Sequence, residues 1–309
     1  MKKIKVFIDG ESGTVGLNIR ERLSAENYKN DLEILKIAPE LSENADERKK
    51  FLNNADIAFL CLPDEVAKQS VELIDSTGNT TTRIIDASTA HRINPDWTYG
   101  FPELSKKHAE KIKGSKRVST PGCYASGFVA LIYPLVQSGM LSSDALISCF
   151  GISGYSGAGK AFIEEYQSAD RNPELGSGRM YALGQVHKHQ PEMKTVCGLK
   201  NDPMFNPIID DYYNGMIVSI PLMKPSFTAS DVKNLYKKHY ENTRIEVKDS
   251  EGITFLAANT MANSDDMELY VFADPGSERI LLTARFDNLG KGASGAAVQC
   301  FDLMTGEKL

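Results

Sequence analysis

Over the first hundred residues, short unbroken apolar runs alternate with stretches whose apolar positions recur at helical spacing. Residues 5–8 read as a strand, followed by a glycine turn and a helix over 15–23. Residues 32–38 give a second strand, 46–52 a helix, and 57–62 a third strand. That third strand is apolar almost throughout, as a parallel strand covered on both faces must be. Pro63 closes it, Asp64 is placed to cap a helix over 65–74, and 83–86 form a fourth strand. Alternation of this kind with short connections predicts a parallel, doubly wound sheet of the α/β class.

The pattern changes after about residue 120. Longer strands over 146–150, 216–222, 267–273 and 280–286 come with fewer helices. One helix opens at Thr228 or Ser230 and reaches Tyr240, and the segment 292–304 is apolar at helical spacing. This half predicts an α+β domain with a mixed or antiparallel sheet.

Composition narrows the function classes. The chain has 309 residues, 41% apolar and 25% charged, which suits about two well-packed domains. Its 35 Lys and Arg against 41 Asp and Glu leave a net charge of −6. The densest basic stretch, Lys106 to Arg117, is diluted by Glu110 and reads as a solvated helix face, so neither nucleic acid nor an anionic membrane is an expected partner. The apolar run after Met1 stops at Asp9, too short for a signal peptide, and no run approaches the length of a membrane span. Five scattered cysteines without a Cys-x-x-Cys pair fit a reducing, cytoplasmic setting and no cysteine-rich metal site.

Two places carry chemistry. The turn Gly10-Glu-Ser12-Gly13-Thr14-Val15-Gly16 joins the first strand to the first helix with Gly-x-x-Gly-x-x-Gly spacing. Glycines there permit a tight turn, close approach of backbone to a pyrophosphate, and close helix–strand packing, while the helix N-terminus receives the negative charge. A plain glycine-rich β–α turn is the alternative, but its place on the first β–α unit favours a nucleotide cofactor. After the second strand, Glu40 would suit the ribose of NAD, whereas Arg48 or Lys49 would suit the 2′-phosphate of NADP. The second place is Pro121-Gly122-Cys123-Tyr124-Ala125, a turn running into an apolar helix. It sets Cys123 at a helix N-terminus, which stabilises a thiolate and can hold an oxyanion. Cys61, Cys149 and Cys300 lie in apolar patterns and read as core, and Cys197 as a helix end.

His187 and His189, in His187-Lys-His189-Gln-Pro191-Glu192, would point to one face of an extended segment before a helix that Pro191 and Glu192 begin. A structural pair and an acid/base partner for Cys123 are both open readings; a zinc site lacks a third ligand at suitable spacing. His91, His108 and His239 read as surface residues.

Taken together, these motifs resemble the N-acetyl-gamma-glutamyl-phosphate reductases of arginine biosynthesis, in the shorter of two subtypes. Asp86-Ala-Ser-Thr-Ala-His-Arg92, Tyr99-Gly-Phe-Pro-Glu-Leu104, the segment 153–160, and Asn288-Leu-Gly-Lys-Gly-Ala-Ser-Gly-Ala-Ala-Val-Gln299 add to the resemblance. It implies a semialdehyde-dehydrogenase-like fold. A Rossmann-type domain would comprise 1–120 plus 290–309, and a catalytic and oligomerisation domain 121–289. It implies NADPH-dependent reductive dephosphorylation of N-acetylglutamyl 5-phosphate, with release of inorganic phosphate. Cys123 would form a thioester, and His189, or else His187, would act as acid/base. Asn288 and Gly292 would approach the nicotinamide, Arg48 would take the 2′-phosphate, and no metal is required. Homotetramers are common among such relatives. Ser126 stands where the family usually has Thr, and Lys160 where Arg is common. Arg92, Arg171 and Arg179 are candidates for binding a substrate carboxylate, which wants a guanidinium. The rival readings are aspartate-semialdehyde dehydrogenase, whose nucleophile typically follows Asn rather than Gly122, and a dinucleotide-binding sensor without turnover.

Overall fold

A computed structural model of the chain describes residues 3–26, 28 and 30–306. The chain divides into two compact units. The first is drawn from residues up to 102, from 107–121 and from 293 onward; the second from 103–106 and 122–292.

In the first unit the elements run β1 (Ile4–Asp9), α1 (Thr14–Leu23), β2 (Leu32–Leu35), α2 (Ala45–Asn54), β3 (Ile57–Leu60), α3 (Asp64–Asp75), β4 (Arg83–Asp86), β5 (Thr98–Tyr99), α4 (Lys106–Gly114) and β6 (Arg117–Ser119). The strands pair in the order β2-β1-β3-β4-β6-β5, every pairing parallel. Because β2 and β3 flank β1, the winding reverses beside it, and the crevice at the carboxyl ends of such strands is where open α/β sheets take ligands. All four residues of β3 are buried, as their apolar run requires. The second strand ends three residues earlier than its pattern suggests, before the tight turn Pro39–Leu41. Asp64 does not cap α3 but is its first residue; its carboxylate receives the Thr89 N–H at 2.9 Å and the Thr89 hydroxyl.

The second unit begins with α5 (Cys123–Gln137) and continues through β7 (Ser148–Gly154), α6 (Lys160–Gln167), β8 (Arg179–Met180), α7 (Gln190–Cys197), β9 (Met204–Asp210), β10 (Met216–Met223), α8 (Ala229–His239), β11 (Ile245–Val247), β12 (Met267–Ala273) and β13 (Arg279–Phe286). Its mixed sheet has the order β11-β12-β13-β10-β7-β9-β8. One face is covered by α5, which is buried along nearly its whole length. A Cβ on Gly127 would stand 2.8 Å from Val218 and Phe286, so the absent side chain lets helix and sheet meet. The opposite face leaves Phe150, Met223 and Leu281 exposed. Strand β7 starts at Ser148 and runs to Gly154, later and further than the run 146–150 suggests.

A π-helical turn, Gly290–Ser294, then leads to α9 (Gly295–Thr305). This helix packs its apolar residues into the core of the first unit, where the Tyr28 hydroxyl donates to Asp302 at 2.6 Å. Among the described residues no helix is long and apolar enough to cross a membrane.

Candidate active site

The glycine turn of the first unit has a distinct reason for each glycine. Gly10 has φ +88°, and a Cβ on it would meet the Cys61 carbonyl oxygen at 2.4 Å. A Cβ on Gly16 would strike the Gly10 carbonyl oxygen, also at 2.4 Å, so helix and strand could not close up. At Gly13 the nearest atom to a Cβ is 3.5 Å away, so packing does not demand glycine there; close approach of a ligand does. No side chain caps α1 and no acidic residue lies in its first turn, which leaves Thr14, Val15 and Gly16 at a helix start suited to an anion. The cradle fits a dinucleotide pyrophosphate.

Arg48, expected at a 2′-phosphate, is engaged within the protein. Its guanidinium is buried and held by Asp9, the last residue of β1, through Nε at 3.1 Å and NH2 at 2.9 Å. The Ser70 hydroxyl closes the group by donating to Asp9 at 2.8 Å. A buried carboxylate needs its cation, and Arg48 supplies it to Asp9 at the start of the glycine turn. Glu40 is exposed in the turn after β2.

Cys123 is the first residue of α5, after the extended Gly122, and no side chain caps the helix. The buried carboxylate of Glu192 accepts the Gly122 N–H at 2.8 Å and so fixes the backbone entering the cysteine. Gly292 presses from the other side. A Cβ there would lie 3.0 Å from the Cys123 Cβ, so only glycine lets the 287–292 turn approach this closely. That turn is held by buried polar groups. Asn288 donates to Ser156 Oγ and accepts the Gly215 N–H, both at 2.8 Å, so its carboxamide is engaged within the second unit. Lys291 forms a 2.6 Å ion pair with Glu103, both almost fully buried.

The histidine pair lies in a turn, not an extended segment: His189 has helical backbone angles just ahead of α7. The two rings still meet, edge to face at 4.7 Å. The His189 N–H donates to His187 Nδ1 at 3.1 Å, so that nitrogen carries no proton and His187 Nε2 faces the Tyr181 hydroxyl at 3.5 Å. Both rings pack on Tyr124, next in sequence to Cys123. Burial raises the Tyr181 phenol above its usual range, and Cys123 is near enough to add to the effect. His187 is thus engaged in local structure, while the His189 ring is buried beside Tyr124.

The remaining histidines differ from their sequence reading. His91 is buried, its Nδ1 2.6 Å from Asp86 and its ring stacked on Trp97. His108 and His239 are half-buried and donate from Nε2 to the Tyr99 and Glu103 carbonyls. Among the described residues no three His, Cys, Asp or Glu side chains converge to hold a metal.

The two units each match a known family. The semialdehyde dehydrogenase NAD-binding domain matches residues 15–112, and the semialdehyde dehydrogenase dimerisation domain matches 123–288. The N-acetyl-gamma-glutamyl-phosphate reductases of Chelativorans sp. (strain BNC1) and Rhizobium meliloti (strain 1021) are each 42% identical to the chain. The alignments cover 97% of both chains in the first case, and 98% and 99% in the second. The chain belongs to the N-acetyl-gamma-glutamyl-phosphate reductase family. Aspartate semialdehyde dehydrogenases share its fold. The enzyme from Vibrio cholerae superposes with a TM-score of 0.74 at 17% identity over 100% of both chains. The enzyme from Francisella tularensis gives 0.75 at 14%, over 98% and 100%.

Ser126 and Lys160, the two positions expected to differ from the family, have simple surroundings. Ser126 donates back to the Gly122 carbonyl at 3.2 Å inside α5, and Lys160 is exposed beside Glu164. The three arginines separate clearly. Arg171 is paired through both terminal nitrogens with Asp211, and Arg92 donates to the Thr120 and Ala87 carbonyls. Arg179 lies over the Tyr166 and Phe162 rings and donates to the Tyr166 hydroxyl, but its Nε is buried with no acceptor. Glu192, Tyr181 and the Lys291–Glu103 pair were not singled out from sequence as site residues. For Glu192 the signal was there, a carboxylate at the head of a helix three residues beyond the histidine.

Proposed function

We propose that this chain reduces N-acetyl-gamma-glutamyl phosphate to N-acetylglutamate 5-semialdehyde with NADPH, in arginine biosynthesis, by way of a thioester on Cys123. As a member of the reductase family it is an NADP(H)-dependent oxidoreductase. The observation that carries the thioester reading is Cys123 at the start of α5, with Glu192 fixing its approach and Gly292 against its Cβ.

The thiolate of Cys123 attacks the acyl carbon at C5, and the N-terminal amides of α5 stabilise the oxyanion of the tetrahedral intermediate. The carbon–oxygen bond to phosphate then breaks, leaving the thioester and releasing phosphate, which takes up the one proton the overall reaction consumes. NADPH, when bound along the glycine turn, supplies the hydride that reduces the thioester carbon. His189 protonates the thiohemiacetal oxygen and receives that proton again as the carbon–sulfur bond breaks, which frees the aldehyde and restores the thiolate. Arg179, whose Nε lacks an acceptor, supplies the guanidinium for the α-carboxylate.

The exposed face of the second sheet, with Phe150, Met223 and Leu281, suits self-association into a dimer or a tetramer. Cysteines that form no disulfide among the described residues suit the cytoplasm. Mixing the protein with the acyl phosphate in the absence of NADPH tests the thioester. One equivalent of phosphate should appear in a burst, with the acyl group on Cys123 by mass spectrometry. Phosphate release without acylation of Cys123 would contradict it.

A further inference from the structure

We infer that the Tyr212 hydroxyl is the group that recognises the acetamido arm of the substrate; the inference rests on the reaction proposed above. Tyr212 lies in the connection between β9 and β10, and its backbone position is fixed from two sides. Tyr155 and Ser156 donate N–H bonds to the Tyr212 and Tyr213 carbonyls, each at 2.9 Å. Asn214 and Gly215 are held by Asp287 and Asn288, residues of the turn that presses on Cys123. A Cβ on Gly154 would stand 2.5 Å from the Tyr213 carbonyl oxygen, so the two segments are in close contact.

In this tightly bonded setting the Tyr212 hydroxyl is buried and has no hydrogen-bond partner. A buried phenol left without a partner costs free energy, so such a group is normally paired or reserved for something that binds. Tyr124, the residue after Cys123, donates its own hydroxyl to the Ile208 carbonyl of β9, the strand that leads into Tyr212, at 3.0 Å. The segment that carries the orphaned hydroxyl is thus continuous with the strand bonded to Tyr124 and is held by the turn that presses on Cys123. Asp210 lies close enough to add to the burial that keeps the phenol protonated. A neighbouring carboxylate disfavours an anion at this place, so the substrate carboxylate and phosphate do not fit it. A neutral amide does: its carbonyl oxygen accepts the phenol proton.

Removing only the oxygen tests this. Tyr212→Phe and the unaltered enzyme are compared in phosphate-dependent NADP reduction with N-acetylglutamate 5-semialdehyde and with 5-oxopentanoate, which keeps the carboxylate and lacks the acetamido group. The variant should lose about tenfold in kcat/KM on the acetylated aldehyde and nothing on 5-oxopentanoate. Without ligand it should unfold at the same temperature as the unaltered protein or higher, because an unpaired buried hydroxyl has been removed. Equal losses on both aldehydes, no loss on either, or a lower unfolding temperature would each overturn the inference. Failure of the unaltered enzyme on the acetylated aldehyde would instead overturn the proposed reaction.

Discussion

Gly292 and Cys123 are in such close contact that one methyl group should disturb the chemistry. Gly292→Ala places a Cβ 3.0 Å from the Cys123 Cβ, and kcat should fall in steady-state assays. For the histidines, His189→Asn should lower kcat by about 10²- to 10⁴-fold, the usual range for an acid/base group. His187→Asn should act mainly through stability, since His187 Nδ1 is engaged by the His189 backbone. Steady-state rates with thermal unfolding of both variants would check this, and the reverse ranking would exchange the roles. Arg48→Met should weaken NADP and NAD alike, because the guanidinium holds Asp9 under the glycine turn; a loss confined to NADP would return Arg48 to the 2′-phosphate. Cys123, the glycines and the histidine pair were visible in the sequence because each needs a residue type at a local spacing. The pairing of Arg48 was not legible because its partner Asp9 is 39 positions away, and no local spacing reveals that a cation is already engaged.

Helices and strands were legible to the extent that their signals are local. Strand β12 falls where its apolar alternation places it, and α8 carries the full reciprocal cap between Thr228 and Asp231. Thr228→Ala should therefore cost about 1 kcal/mol in denaturant unfolding. Strand β9 was missed: Pro207 interrupts its pattern, yet the strand pairs with β7 along its whole length and the Pro207 carbonyl accepts the Tyr181 N–H. The short strand β8 owes its existence to β9 beside it. The half-buried histidines on α4 and α8 give the elements a pH dependence. Burial holds His108 and His239 below their ordinary 6.5, so the unfolded chain binds protons more tightly. Their contribution to stability is complete above about pH 6.5 and is lost as pH falls through the folded values. The unfolding temperature should drop on acidification, and the double variant His108→Gln, His239→Gln should show a flatter profile from pH 7 to 5.

At the scale of the whole molecule, the change of pattern near residue 120 marked two kinds of sheet, one all parallel and one mixed, and the structure has both. The open face of the mixed sheet could not be read from strand alternation alone, because Phe150 and Leu281 look like core until their strands are paired. If that face joins two copies, Leu281→Lys with Phe150→Lys should lower the mass measured by light scattering, while an unchanged mass would place the contact elsewhere. The central claim is a reductase that works through a cysteine thioester, and one assay tests it most directly: reduction of NADP by N-acetylglutamate 5-semialdehyde, with and without inorganic phosphate, beside Cys123→Ser. The account predicts NADPH formation that requires phosphate and vanishes in the variant. Full activity in Cys123→Ser, or activity indifferent to phosphate, would contradict it.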